Sequence, residues 1–342
     1  MRRKYIDTWR TIAVTLVIFS HLRLNSNFAK MLSMLDVSFL TSYGPLGVFI
    51  FFFISGYIVS HTCFQELKKT GEFCIRGFYI RRVYRIAPPL LIYLLTCLVL
   101  GRAEIIVFPI SEGLVSAAYL CNISQQLFPC GWYTGHTWSL AFEEQFYLLF
   151  PTLFAAIQLG RRVHPATAVV VLLSIMPMAL PISWIGRSGF VLIYALFGVG
   201  YFCAKYEDQL VSILGRAPLV FISVSIIITF MPLGIFDFPA LGKYYKFMYI
   251  ASVPLMVLAS SQVSGIFGCI LNNVALAYIG RISYSIYLWQ QIVTSLPFHE
   301  SSLAIQLFAI ALVVLGCALS FRFIEMPLIG IGRRRSRAIA ST

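Results

Sequence analysis

Charge is scarce in this chain: Asp, Glu, Lys and Arg make up 11% of its 342 residues, against about 25% in a typical soluble domain. With 59% of residues hydrophobic, a soluble globular domain is excluded. Several catalytic signatures are also missing. No GxSxG, P-loop, GxGxxG or HExxH occurs, which excludes the nucleophile elbow, the phosphate-cradling loops and the zinc-protease helix. None of the five histidines has an aspartate five positions on; Ser26, Glu66, Ala141, Val169 and Ala304 stand there instead. The eight cysteines include no CxxC and no Cys/His cluster at ligand spacing, so no metal is expected. Acidic residues are few as well, leaving a net charge of +13. Basic loops facing anionic lipid headgroups account for that charge, and no nucleic-acid partner is needed.

What the chain does have is a series of apolar runs, each long enough as a helix to cross about 30 Å of hydrocarbon. They predict an all-α polytopic membrane bundle of about ten transmembrane helices, at 10–24, 43–62, 84–101, 137–158, 166–184, 188–204, 212–232, 246–263, 274–295 and 302–325. The stretch 105–128, with Pro109, Ser111, Glu112 and Asn122, reads as a long loop or interfacial helix. Arg2, Arg3 and Lys4 precede the first run as in a signal peptide, but no small-x-small cleavage site follows. The Lys and Arg bias between loops places both termini in the cytoplasm. Residues 1–330 then form one membrane domain and 331–342 a basic cytoplasmic tail that anchors the topology. Cys121 and Cys130 share an external loop, where an oxidising compartment permits a disulfide. Gly44, Gly47 and Gly56 read as close-packing positions.

Ionisable side chains in hydrocarbon cost several kcal/mol unless paired or hydrated, so each is a candidate site. In DTWRTIAVTLVIFSH, Arg10 and His21 stand eleven residues apart. A helix places them about 16 Å apart and within about 20° of one face. The arrangement suits an extended anion, and equally a snorkelling arginine and a packing histidine. In HTWSLAFEEQFYLLFP, His136, Glu143 and Tyr147 share a helical face with Ser139, and Glu144 projects about 100° away. The two acids therefore have separate jobs: one can orient a histidine while the other pairs with an arginine, or both belong to a structural ion pair. In IRRVYRIAPPLL, Arg82 and Arg85 make an i, i+3 pair fit to clamp phosphate or carboxylate, which is also the form of a positive-inside flank. In GRISYSIYLWQQ, Tyr284 and Gln291 lie on one face with Tyr287 and Gln290 beside it, a polar stripe fit for a ligand or for interhelical hydrogen bonds. Arg281 and Glu325 complete the intramembrane set.

Taken in order, these stretches resemble the bacterial membrane acyltransferase family 3. The resemblance covers most of the chain. It rests on Arg10-x10-His21, FIFFFISGYIVS, Arg82-x2-Arg85 followed by Pro88, TWSLAFEEQFYLLFP, SYSIYLWQQ and the closing FIEMP. Two positions depart from it: Thr11 follows the first arginine where the family often has a smaller residue, and Gln290 follows YLW where it often has a histidine. If that histidine binds the acceptor, the acceptor here differs. Many members also carry a C-terminal esterase-like domain absent from this sequence, which implies a reaction completed alone or with a separate periplasmic partner.

The resemblance implies an enzyme of the bacterial inner membrane that transfers an acyl group, most simply acetyl, from cytosolic acyl-CoA to a hydroxyl of an envelope or exopolysaccharide carbohydrate. It implies no tightly bound cofactor, with acetyl-CoA or another acyl-CoA as donor substrate. Arg10, Arg82 and Arg85 would hold the donor phosphates. His21 would act as general base or as nucleophile, with Glu143 or Glu144 orienting it, and Trp138, Tyr284, Tyr287 and Gln290 would meet the substrate. The main competitor is a transporter or flippase whose arginines and acids line an anion pathway, although 1–160 and 165–342 show no convincing repeat. A membrane-bound O-acyltransferase of the lipid- or protein-acylating type ranks below it, because that family lacks this order of motifs.

Overall fold

An apolar segment in lipid must satisfy its own backbone N–H and C=O groups, and a helix does so within one segment. The computed structural model describes residues 3–22, 34, 43–123, 127–160, 186–230, 247–294 and 302–340. Among these, every regular element is helical. In chain order they are α1 (Lys4–Leu22), α2 (Gly44–Thr70), α3 (Ile75–Arg102), α4 (Ile110–Ala117), α5 (Trp132–Gly135), α6 (Trp138–Leu159), α7 (Gly186–Lys205) and α8 (Glu207–Leu214). Then come α9 (Pro218–Phe230), α10 (Tyr249–Ala259), α11 (Gly265–Leu271), α12 (Val274–Arg281), α13 (Ser283–Val293), α14 (Leu303–Ser320) and α15 (Met326–Ala340). The expected helix at 166–184 lies outside the described residues.

By length and composition, four stretches among the described residues can cross a membrane: Gly44–Thr70, Ile75–Arg102, Trp132–Gln158 and Ala304–Ile339. Two bent pairs raise the number to six. The expected single helix at 212–232 is one of these pairs, since α8 and α9 meet at 95°. Pro218 opens α9, and a proline can start a helix but cannot donate the bond that would continue the preceding one. The segment expected at 246–263 is α10 plus a 3-10 turn, Ser260–Gln262, after which the chain bends by 109° into α11 and α12. Gly265 makes that bend with φ +68°, in the left-handed region glycine tolerates. The expected helix 274–295 is interrupted at Ile282, between α12 and α13. Nor does the last helix stop at Glu325. A π-helical turn, Phe321–Glu325, carries it into α15, so the basic residues from Arg333 onward are helical.

The chain divides into two units, one of Met1–Leu24, Ala29–Gly71 and Ser188–Ser283, the other of Asn25–Phe28, Glu72–Arg187 and Tyr284–Thr342. In the first, α1 packs against α2 and α12. Backbones approach closely there: a Cβ on Gly47 would lie 2.4 Å from the Ala13 carbonyl oxygen, and one on Gly56 would lie 2.6 Å from that of Phe197. Lipid offers helices little hydrophobic drive to associate, so such small-residue contacts carry much of the packing. Thr11 Oγ1 donates to the Leu276 carbonyl at 2.6 Å, and Trp9 Nε1 donates to Ser260 Oγ at 2.8 Å.

Gly280 is the tightest of these contacts, with room for a Cβ only 1.7 Å from the Asp7 carbonyl oxygen. The obstacle is backbone and cannot swing aside. Gly280→Ala is therefore expected to force α1 from α12 and destabilise the protein by at least about 1–3 kcal/mol, the ordinary cost of overpacking. Thermal unfolding of the purified protein in detergent checks this; a midpoint equal to the parent's would contradict it.

In the second unit α15 packs along α3. Gly332 lies under Tyr84, and Arg81 Nη1 donates to Ser336 Oγ at 2.6 Å. The Arg335 guanidinium sits 5.6 Å from the Tyr84 ring centre. The loop between α4 and α5 is closed by the Cys121–Cys130 disulfide. It is tied further by Glu112, whose carboxylate accepts from Gly131 N at 2.8 Å and from Thr134 Oγ1 at 3.3 Å.

Candidate active site

The second unit gathers most of the polar side chains singled out in the sequence. On α6, Tyr147 donates to the Glu143 carboxylate one turn earlier, as i, i+4 spacing allows. The Arg82 guanidinium lies 4.5 Å from the Tyr147 ring centre and 5.5 Å from that of Phe78. Such stacking holds a cation in an apolar setting without removing its charge. Glu144 lies within electrostatic range of both Glu143, which repels it, and Arg82, which attracts it. Glu143 thus accepts from a hydroxyl, while Glu144 lies in the field of a cation.

A second carboxylate site adjoins α13. Glu325 is buried at the end of the π-helical turn and accepts from Ser285 Oγ at 2.6 Å, with Arg85 in electrostatic range. π-helical turns recur at functional sites because the extra residue widens the turn. Tyr284 Oη donates to the Ile86 carbonyl at 3.0 Å, which ties α13 to α3 one residue beyond Arg85.

A second polar group surrounds His136. The sequence placed His136 on the Glu143 face of one helix; in the structure it precedes that helix, as the residue that ends α5, so the seven-residue step to Glu143 is not helical throughout. Its ring is buried edge-on to Tyr93 at 5.6 Å and against Tyr287 at 5.5 Å. Tyr287 Oη donates to the His136 carbonyl at 2.9 Å, so the 2.7 Å contact with Ser139 Oγ has the serine as donor. Gln291 Nε2 donates to the Trp132 carbonyl at 2.9 Å while Trp132 Nε1 donates to the Gln291 carbonyl at 3.1 Å. Gln290 is buried and donates to Gln291 Oε1 at 2.9 Å. Trp138 stands at the start of α6, edge-on to Phe142. For Tyr284, Tyr287 and Gln291 the polar stripe is thus satisfied by interhelical hydrogen bonds.

Arg10 and His21 belong to the first unit, both half-buried on α1 and each with interactions of its own. That unit also holds a cluster not anticipated from sequence. Arg3 pairs with Glu207 at 2.5 Å, lies 3.0 Å from His61 Nε2, and donates to Tyr57 Oη, while His61 reaches Glu207 at 3.4 Å. Arg3, Glu207 and the i, i+4 pair Tyr57 and His61 lie too far apart in sequence for any spacing rule to join all three parts. Tyr119 was missed in the second unit for the same reason. It has φ +55°, and its carbonyl accepts from Gln145 Nε2 at 3.3 Å, next to the acid pair.

Fold and site together define a helical membrane protein with carboxylates and arginines clustered inside one of its units. A family profile described as an acyltransferase domain matches residues 3–324, and the chain belongs to that family, acyltransferase family 3. The chain is similar to O-acetyltransferase OatA of Staphylococcus aureus (strain NCTC 8325 / PS 47), 27% identical over a 329-position alignment that covers 84% of this chain and 53% of the relative. It is also similar to SACOL0978 of Staphylococcus aureus (strain COL), named as a candidate O-acetyltransferase, 25% identical over a 372-position alignment that covers 94% of this chain and 56% of that protein. The chain spans about half the length of the curated relatives it matches. No solved structure matches it.

Proposed function

We propose that this protein is an integral membrane O-acyltransferase that moves an acyl group, most simply acetyl, from cytosolic acyl-CoA to a hydroxyl of an envelope or exopolysaccharide carbohydrate. The observation that carries the reading is the placing of Arg82 in electrostatic range of Glu144 and of Arg85 in electrostatic range of Glu325 inside a helical member of this family. Arg10, Arg82 and Arg85 hold the donor phosphates. His21 removes the acceptor hydroxyl proton as general base while the C–S bond breaks and a C–O bond forms, or first takes the acyl group on its imidazole, a C–N bond forming as C–S breaks and breaking in turn as the hydroxyl forms C–O; in either course the thiolate leaves and takes up the hydroxyl's proton. Glu143 or Glu144 orients the imidazole and stabilises its charged form. Trp138, Tyr284, Tyr287 and Gln290 line the acceptor side. No tightly bound cofactor takes part. Ten transmembrane helices, cytoplasmic termini and the bacterial inner membrane complete the proposal. The Cys121–Cys130 disulfide supports an external 103–131 loop, because disulfides persist in oxidising compartments.

The double variant Arg82→Ala/Arg85→Ala tests donor binding. Each lost contact to a charged group is worth about 1.5–3 kcal/mol, so KM for acetyl-CoA is expected to rise at least about tenfold. Steady-state kinetics at saturating acceptor read this out, and an unchanged KM would overturn the assignment. A transporter is the second reading, favoured by the two bent helix pairs, since broken helices build many transport sites. Proteoliposomes loaded with unlabelled substrate distinguish the two: a transporter exchanges label across the bilayer without releasing free CoA.

A further inference from the structure

The external loop does more than connect helices. Gln145 ties one short stretch of it, 119–122, to α6, and a disulfide closes that stretch within the loop. The Cys121–Cys130 disulfide closes the stretch covalently. Asn122 and Gln145 form a reciprocal amide pair, with Asn122 Nδ2 donating to Gln145 Oε1 at 2.8 Å and Gln145 Nε2 donating to Asn122 Oδ1 at 3.1 Å. Gln145 Nε2 also reaches the Tyr119 carbonyl. Gln145 directly follows Glu143 and Glu144, so whatever it anchors is brought to the acid pair.

Tyr119 itself is held at φ +55°, a left-handed conformation that is uncommon for a bulky side chain unless its surroundings impose it. Its phenol is in electrostatic range of Glu144 and Glu143, and Tyr284 shares that environment. Burial pushes the Tyr119 phenol up, and the Glu144 and Glu143 charges push it the same way, so it stays a neutral hydrogen-bond donor at any working pH.

We propose that Tyr119 is a positioning residue for the reaction, set beside the Glu143–Glu144 pair by the disulfide-closed loop so that its hydroxyl fixes the orientation of a carboxylate. The inference rests on the acyl-transfer reading. It assigns the disulfide and the Asn122–Gln145 pair a role in turnover: they hold a tyrosine at a conformation the free loop would leave.

Tyr119→Phe removes only the hydroxyl. Its kcat is expected to fall about tenfold to a hundredfold, as for loss of a hydrogen bond to a charged group, with KM for acetyl-CoA unchanged. Asn122→Ala, which leaves Tyr119 in place but unties it, is expected to lower kcat in the same direction by a smaller factor. Alkylation mass spectrometry, showing Cys121 and Cys130 still bonded, and an unaltered thermal midpoint confirm that both variants are folded. A purely structural tyrosine would move the midpoint and KM together. An active parent whose Tyr119→Phe and Asn122→Ala variants keep its kcat overturns this inference alone. A parent that releases no CoA with any acceptor overturns the acyl-transfer reading and this inference with it.

Discussion

Replacing His21 with alanine is expected to lower acyl transfer by about two to four orders of magnitude, the range over which a positioned general base or nucleophile acts. His21 is half-buried on α1, two turns and more beyond the close contact between Gly47 and Ala13 that seats this helix on α2. Rates are to be normalised to the folded fraction of each variant. The pairing with Arg10 makes the prediction specific. Arg10→Ala should raise KM for the donor and leave the chemical step, whereas His21→Ala should strike kcat and leave donor binding. Initial rates measured with radiolabelled acetyl-CoA at matched protein separate the two. Full activity in His21→Ala would remove it from the mechanism and shift attention to His136 and His61.

Glu144→Gln is expected to cost about a hundredfold in kcat, while Glu143→Gln costs clearly less. The difference follows from their partners. Tyr147 donates to Glu143, and a glutamine carbonyl can still accept from that hydroxyl. Glu144 lies in electrostatic range of the stacked Arg82 guanidinium, and a glutamine in its place can never carry a charge to attract that cation. Each variant's kcat, normalised to the folded fraction in detergent, is the measurement. Equal losses at the two positions would mean that the acids act as one undivided pair.

These expectations show which parts of the molecule a sequence can disclose. Apolar runs mark helices because lipid permits few alternatives, and α2, α3 and α6 lie close to where hydropathy put them. The Glu143 and Tyr147 face was readable because i, i+4 spacing is a local property of a helix. The two-residue turn that sets His136 off from α6 left no strong signal, because Gly135, His136 and Thr137 can all continue a helix. Gly215 and Pro218 in fact marked the break between α8 and α9, but the surrounding apolar residues concealed it. Ile282 carried no such mark, and nothing in its chemistry explains the interruption there. The run of arginines after Gly332 looked like a loose anchor because charge density alone does not reveal that Ser336 and Tyr84 hold it to α3. Tyr119 and the Arg3, His61 and Glu207 cluster depend on contacts between distant residues, which no single-sequence pattern encodes.

The most direct test of acyl transfer is the stoichiometry between donor cleavage and ester formation. Membranes containing the protein would be supplied with acetyl-labelled acetyl-CoA and the envelope glycan fraction of the producing organism, and free CoA would be counted against alkali-labile label in the glycan. Acyl transfer requires one ester for each CoA released, with both signals lost in His21→Ala. Label that crosses the bilayer with no CoA released would contradict it and favour the transport reading.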